Sequence, residues 1–149
     1  MNARSGFTLV EMLVVMAIVG ILSAIAYPSY AAYITRTRRI EGQMALIDTM
    51  QQQERYFTRH NSYIAFDADS SDPDAKLFRW YSGSKPAHSA YELRGQACPG
   101  LSISQCIEVR AMPGTERVDS KFKDSECATL ILSSTGQQGA SGTSSRCWP

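Results

Sequence analysis

The chain has 149 residues, with 15 Lys and Arg against 14 Asp and Glu and a formal net charge of +1. A balanced chain of this size has room for one small globular domain, and it gives no electrostatic case for a nucleic-acid or polyanion binder. Its four cysteines, Cys98, Cys106, Cys127 and Cys147, all fall in the C-terminal half, and none is spaced like the close Cys pairs of a structural zinc site.

The N-terminus carries the strongest signal. Six residues, Met1 to Gly6, with Arg4 as their charge, precede the long apolar run Phe7 to Tyr27. About 20 apolar residues span the roughly 30 Å hydrocarbon core of a bilayer. Inside this run stands Glu11, and a carboxylate there costs about 2.5–3.5 kcal/mol on insertion scales, so it needs a partner. A cut after Gly6 would free the amine of Phe7 four residues away on the same helix face, and the two charges could then neutralise each other within a chain or between neighbours. Gly6-Phe7-Thr8-Leu9-Val10-Glu11 resembles the type III signal of type IV pilins and pseudopilins. The resemblance implies a leader over 1–6, cleavage between Gly6 and Phe7 by a prepilin peptidase, N-methylation of Phe7, and an assembly role for Glu11. Losing residues 1–6 removes Arg4 and leaves 14 basic against 14 acidic side chains. An ordinary secretory signal, with Leu9 to Leu22 as its apolar core and Ala24-Ile25-Ala26 as its cleavage site, stays open, although Glu11 in that core weighs against it.

Tyr30, Tyr33, Ile34, Ile40, Met44, Ile47 and Met50 then recur at three-to-four spacing. The spacing predicts one helix from about Thr8 to Phe57. Residues 7–28 form an apolar transmembrane and assembly half; residues 29–57 form an amphipathic half whose apolar stripe packs on a head domain. Pro28 costs about 3 kcal/mol in a helix interior and Gly20 about 1 kcal/mol, so the stretch between them is where the helix would bend or melt. In the type IVa pilins that this N-terminus resembles, a matching glycine and proline bracket a segment that unwinds in the filament. Arg36, Arg38 and Arg39 read as a solvated or phosphate-facing collar.

Residues 58–149 are expected to form the head. The run Asp67 to Asp74 looks superficially like a calcium loop, but it lacks the sixth-position glycine and has Phe78 where a glutamate belongs; a solvated loop is the default. Phe78, Trp80 and Tyr81 are expected to pack on the helix. Tyr91 to Gly95 and Ile107 to Ala111 alternate as half-buried strands, and Cys127 to Leu132 reads as a third, central strand. An even cysteine count beyond a membrane-targeting segment points to disulfides made in an oxidising compartment. Four cysteines allow three pairings; nearest-neighbour pairing, Cys98 with Cys106 and Cys127 with Cys147, is the one adopted. The Ser/Gly-rich stretch from Ser133 to Gly142 buries too little apolar surface to order itself, so a cross-link is expected to hold it.

Gln53-Glu54-Arg55-Tyr56-Phe57, the run from Cys127 to Gly136 and the terminal Cys147-Trp148 resemble the PilE-type minor pilins, whose last motif is shared with ComP-like DNA-binding pilins. The departures are Ala128, where glycine is usual, and the extra Cys98/Cys106 pair. The resemblance implies an α+β type IV pilin fold: a long N-terminal helix on a small antiparallel sheet with a disulfide-closed C-terminal loop. It also implies a non-enzymatic minor pilin, single-pass in the inner membrane and then extracellular in the pilus. Such a subunit would serve pilus assembly, twitching motility, adhesion or DNA uptake. Its partners would be prepilin peptidase, other pilins and the assembly machinery, with no cofactor and no metal. No catalytic constellation stands against this, since His60 and His88 are isolated. Two other readings are kept: a pseudopilin of type II secretion, and a DNA-binding pilin using Arg94, Arg110, Arg117, Lys121, Lys123 and Arg146, with Lys121, Lys123 and Arg146 foremost. DNA is not favoured, because Glu108, Glu116, Asp119, Asp124 and Glu126 lie among those cations.

Overall fold

A computed structural model describes residues 7–149, as two compact units that divide after Arg36. The helix α1 runs from Leu9 to His60 and continues through Pro28 without interruption. In the first unit its side chains are mostly apolar and none is buried, with Leu9, Val10, Leu13, Met16, Ile21 and Ile25 all more than half exposed. By length and composition this helix is able to cross a membrane.

The second unit, Thr37–Pro149, is the head. Four strands form an antiparallel meander in the order β1-β2-β3-β4: β1 Tyr91–Ala97, β2 Ile107–Pro113, β3 Leu130–Ser133 and β4 Gln138–Ala140. Tyr91, Leu93, Ile107, Val109, Ala111, Leu130 and Leu132 alternate onto one face and form the core with Leu46, Met50 and Phe66. The outer edge of β1 is covered by single bridges from Phe66 to Gly95 and from Tyr81 to Glu92. Phe78 stacks on Phe66 and meets Tyr56 of α1 edge-on, as the sequence suggested. Trp80 and Tyr81 pack edge to face on each other.

The helix face that meets the sheet is rotated from the one the apolar spacing predicts and shares Met50 with it. The buried positions of α1 are Arg39, Gly42, Ala45, Leu46, Thr49, Met50 and Gln53. Ile40, Met44 and Ile47 are 50%, 55% and 37% exposed and face away from the core. Three non-apolar choices explain the rotation. Gly42 admits the Tyr91 ring, since a Cβ there would sit 2.8 Å from its Cδ2. Gln53 donates to the Ile64 carbonyl at 2.8 Å and accepts from the Ile64 N–H at 3.1 Å, so its amide is buried at no hydrogen-bond loss. Arg39 finds two carboxylates. Of the apolar stripe that dominates the periodicity, Ile40, Met44 and Ile47 stay outside the core.

The Ser/Gly-rich stretch is enclosed by a bridge from Cys127 to Cys147, as expected, and also gains a strand. Its residues Gln138–Ala140 form β4, with Leu130, Ile131 and Leu132 of β3 paired to Ala140, Gly139 and Gln138. Backbone pairing with β3 supplies what side-chain burial does not, and the Trp148 Nε1–H donates to the Gly139 carbonyl at 2.8 Å. The third strand begins at Leu130, and Cys127 lies before it in a turn.

Candidate functional site

Two regions carry the residues singled out above. The first is the N-terminal end of α1. Gly6 and the leader lie outside the described residues; Phe7 is 85% exposed. Thr8 precedes the first helical residue and Glu11 is the third, and they bond reciprocally. The Glu11 carboxylate accepts from the Thr8 N–H at 3.0 Å and its hydroxyl at 2.9 Å, while the Glu11 N–H donates back to the Thr8 hydroxyl. This is a capping box, satisfying N–H groups that a helix start otherwise leaves bare. The spacing Thr-x-x-Glu ahead of an apolar run was available in the sequence and gives Glu11 a second task there. Further along, a Cβ on Gly20 would meet nothing within 4 Å.

The second region is the part of the head built around Arg39. Its guanidinium donates to Asp124 through Nε at 2.8 Å and Nη2 at 2.7 Å, and to Glu126 at 2.9 Å. The Tyr91 hydroxyl and the Cys127 N–H also donate to Asp124, whose side chain is wholly buried. Burial pushes the Asp124 carboxyl up, but the bonds from Arg39, Tyr91 and Cys127 outweigh it and hold it below its usual value. Burial, reinforced by Asp124, pushes the Tyr91 hydroxyl up; the bond to Asp124 raises Arg39 despite its desolvation. Arg39 is therefore no part of an exposed collar. It ties α1 to the segment that leads into the C-terminal disulfide.

Cys98 is bonded to Cys106, across the turn between β1 and β2, and Cys127 to Cys147, enclosing β3 and β4. Gln43 reaches the Cys147 carbonyl at 2.7 Å, so the second bridge also lies against α1. Ala128 holds a left-handed φ of 51° where the family resembled above has glycine. A side chain there costs about 1–2 kcal/mol. Ala128→Gly is therefore expected to raise the melting temperature of the head by several degrees, less the entropy a glycine adds to the unfolded chain. A lowered melting temperature would show that Ala128 packs more than it strains.

The basic residues separate into two groups. Arg110 is held by Glu108 at 2.6 Å, and Arg117 by Asp69. Among the described residues Arg94, Lys121, Lys123 and Arg146 are exposed and make no ion pair. Of the acidic neighbours, Glu116 is exposed, and the other four have partners. Glu108 and Asp124 are buried, Glu126 holds Arg39, and Asp119 accepts from the Lys121 N–H. In the Asp67–Asp74 loop, Asp67 accepts from the Asp69 N–H and the Ser70 hydroxyl, and Asp72 from the Asp74 N–H, as turn-capping carboxylates do.

Comparison with known proteins gives this geometry its family. A model described as "Type IV minor pilin ComP, DNA uptake sequence receptor" matches residues 28–131, and one described as "Prokaryotic N-terminal methylation motif" matches residues 1–27. The chain belongs to the ComP family of type IV pilins. The type IV major alpha-pilin of Moraxella bovis is 53% identical over 47 residues, 30% of each chain. A fimbrial protein of Moraxella nonliquefaciens is 46% identical over 63 residues, 38% of this chain and 41% of its own. The chain thus spans less than half the length of these curated relatives. The fold is that of the non-core minor pilin PilV of Neisseria meningitidis, with a TM-score of 0.50 at 16% identity over 77% of this chain and 94% of that one.

Proposed function

We propose that this chain is a minor pilin of the type IV pilus whose head engages DNA during uptake. The observation that carries this reading is the match of residues 28–131 to a family described as a DNA uptake sequence receptor. The objection from the sequence, acidic residues scattered among basic ones, loses force in the fold. Glu108 and Asp124 are buried and paired, whereas Lys121, Lys123 and Arg146 make no ion pair among the described residues; Glu126, which holds Arg39, and Glu116 stay exposed. Phosphate contacts from such side chains position a duplex, with sequence read by groups that reach base edges.

The anchoring half follows the same logic. The precursor is cut after Gly6, methylated at Phe7 and held in the inner membrane by residues 7–28. Prepilin peptidase and the assembly machinery are its partners there. The exposed apolar stripe at Ile40, Met44 and Ile47 suits contact with other pilins once the subunit leaves the membrane. A second reading, a subunit that serves assembly, motility or adhesion without binding DNA, is favoured by the fimbrial relatives.

A salt titration separates the two. A soluble fragment from Ser29 onward is expected to bind duplex DNA at physiological salt. Its affinity should fall linearly with salt on logarithmic axes, and neutralising one phosphate contact should lower the slope by about 0.9. Lys121→Ala, Lys123→Ala and Arg146→Ala together should weaken binding at least tenfold and flatten the slope. Wild-type affinity no higher at physiological salt than that of an unrelated pilin head would leave the assembly reading.

A further inference from the structure

We propose that, before assembly, the end of the head that continues into the apolar span rests on anionic phospholipid headgroups, held by Arg38, Lys85, Lys121 and Lys123. Three segments remote in sequence meet at that end. Arg38 and Arg39 lie in the first turn of α1 within the head unit. Arg38 Nη1 donates to the His88 carbonyl at 2.9 Å, which brings the short 3-10 turn Pro86–His88, and Lys85 before it, to the same place. The Asp119 N–H donates to the Ser89 carbonyl at 2.9 Å, and Asp124 closes on Arg39. The turn that carries Lys121 and Lys123 is held between those two anchors.

The cations at this end are the free partners. Lys85, Lys121 and Lys123 are exposed and make no ion pair among the described residues. The carboxylates nearby are engaged: Glu41 with Arg38 and the Ser82 hydroxyl, Asp124 and Glu126 with Arg39, Asp119 with the Lys121 N–H. Arg38 keeps part of its guanidinium in solvent, its side chain being 37% exposed.

Chain connectivity sets what this end meets. Tyr27, Tyr30 and Tyr33, at 78%, 65% and 66% exposure, follow the apolar run, where amphipathic rings settle at headgroup level. Arg38 follows Tyr33 by five residues in the chain. Basic side chains within about a Debye length of an anionic leaflet, roughly 8 Å at physiological ionic strength, are attracted to it, and the attraction fades beyond that distance. Lys121 and Lys123 are shared with the DNA reading, but the lipid surface does not rest on it. Adjacency in the chain to the apolar span selects lipid.

The test is hydrogen exchange on the full chain in nanodiscs. Residues 83–90 and 119–124 are expected to exchange several-fold more slowly in discs containing phosphatidylglycerol than in pure phosphatidylcholine. Salt at about 0.5 M, which shortens the Debye length to roughly 4 Å, should abolish the difference. So should Lys85→Gln, Lys121→Gln and Lys123→Gln together, with Lys85→Glu alone removing part of it; both variants should melt like wild type, because the side chains are exposed. Equal exchange in the two lipids, or slowing that survives the triple variant, would overturn the proposal. Slowing by duplex DNA on neutral discs without slowing by anionic lipid would assign the surface to nucleic acid and overturn it equally.

Discussion

Pili sheared from cells carrying Glu11→Gln are expected to contain none of this subunit, although the protein accumulates in the membrane at wild-type level. The glutamine variant is the informative one, because Glu11 has two tasks that it separates. As the closing member of a capping box with Thr8, Glu11 satisfies backbone donors at the start of α1, and Gln is the other residue that performs this service. As a charge inside an apolar helix, it needs a cation, and a freed Phe7 amine of its own or a neighbouring chain is the one the sequence supplies. Gln keeps the cap and loses the charge. Glu11→Leu loses both. If the cap alone matters, Gln assembles and Leu does not; if charge pairing drives entry, both fail. Quantitative blotting of membrane and sheared fractions reads this directly. Glu11→Gln present in pili at wild-type amounts would end the charge-pairing account.

Asp124→Ala is expected to be the most damaging single change in the head. It removes the acceptor of Arg39, Tyr91 and the Cys127 N–H together and leaves a guanidinium buried with only Glu126 for company. Breaking a buried pair from one side costs about 3–5 kcal/mol, a large part of the roughly 5–15 kcal/mol that holds a typical domain. A fall of at least 10 °C in melting temperature follows for a domain of this size, at roughly 4 °C or more per kcal/mol. Pairing Asp124→Leu with Arg39→Met should recover much of the loss, since both charges then leave the interior. Additive single and double effects would mean that the two side chains are not coupled. The pH dependence has a definite sign. The Asp124 carboxyl lies below its ordinary 3.8 in the fold. Its contribution is therefore complete above that value and lost as pH falls through the lower folded one. Tyr91 is raised from 10.0, so its contribution is complete below that value and is lost as pH rises above it. Denaturant midpoints of wild type should thus drop below about pH 4, with Asp124→Asn much flatter in that range.

Much of the helix and the strands was legible because it depends on near neighbours. The apolar run, the Gly-Phe-Thr-Leu-Val-Glu signal and the alternation in β1 and β2 involve residues a turn or a pleat apart. The buried face of α1 was not legible in the same way. Periodicity registers hydrophobicity, and here Arg39, Gly42 and Gln53 go inside because each finds a partner more than ten residues away: Asp124, Tyr91 and Ile64. Ile40, Met44 and Ile47 supplied the regular signal and stay on the outside. Strand β4 escaped for a related reason. Gln138, Gly139 and Ala140 have no strand pattern of their own and are recruited by the backbone of β3.

A membrane-length helix, two alternating strands and cysteines suited to oxidation could be read from local spacing and composition, which survive without knowing what touches what; the pilin-type start and the α+β fold came from resemblance to a known family. Which charges remain free to act depends on the folded head. Burial of Asp124 and Glu108 removes two carboxylates that looked like competitors of Lys121, Lys123 and Arg146, while Glu126 is paired with Arg39 but stays solvated. A charge counts toward an outside partner only if the fold leaves it solvated and unpaired, and that depends on contacts across the whole head.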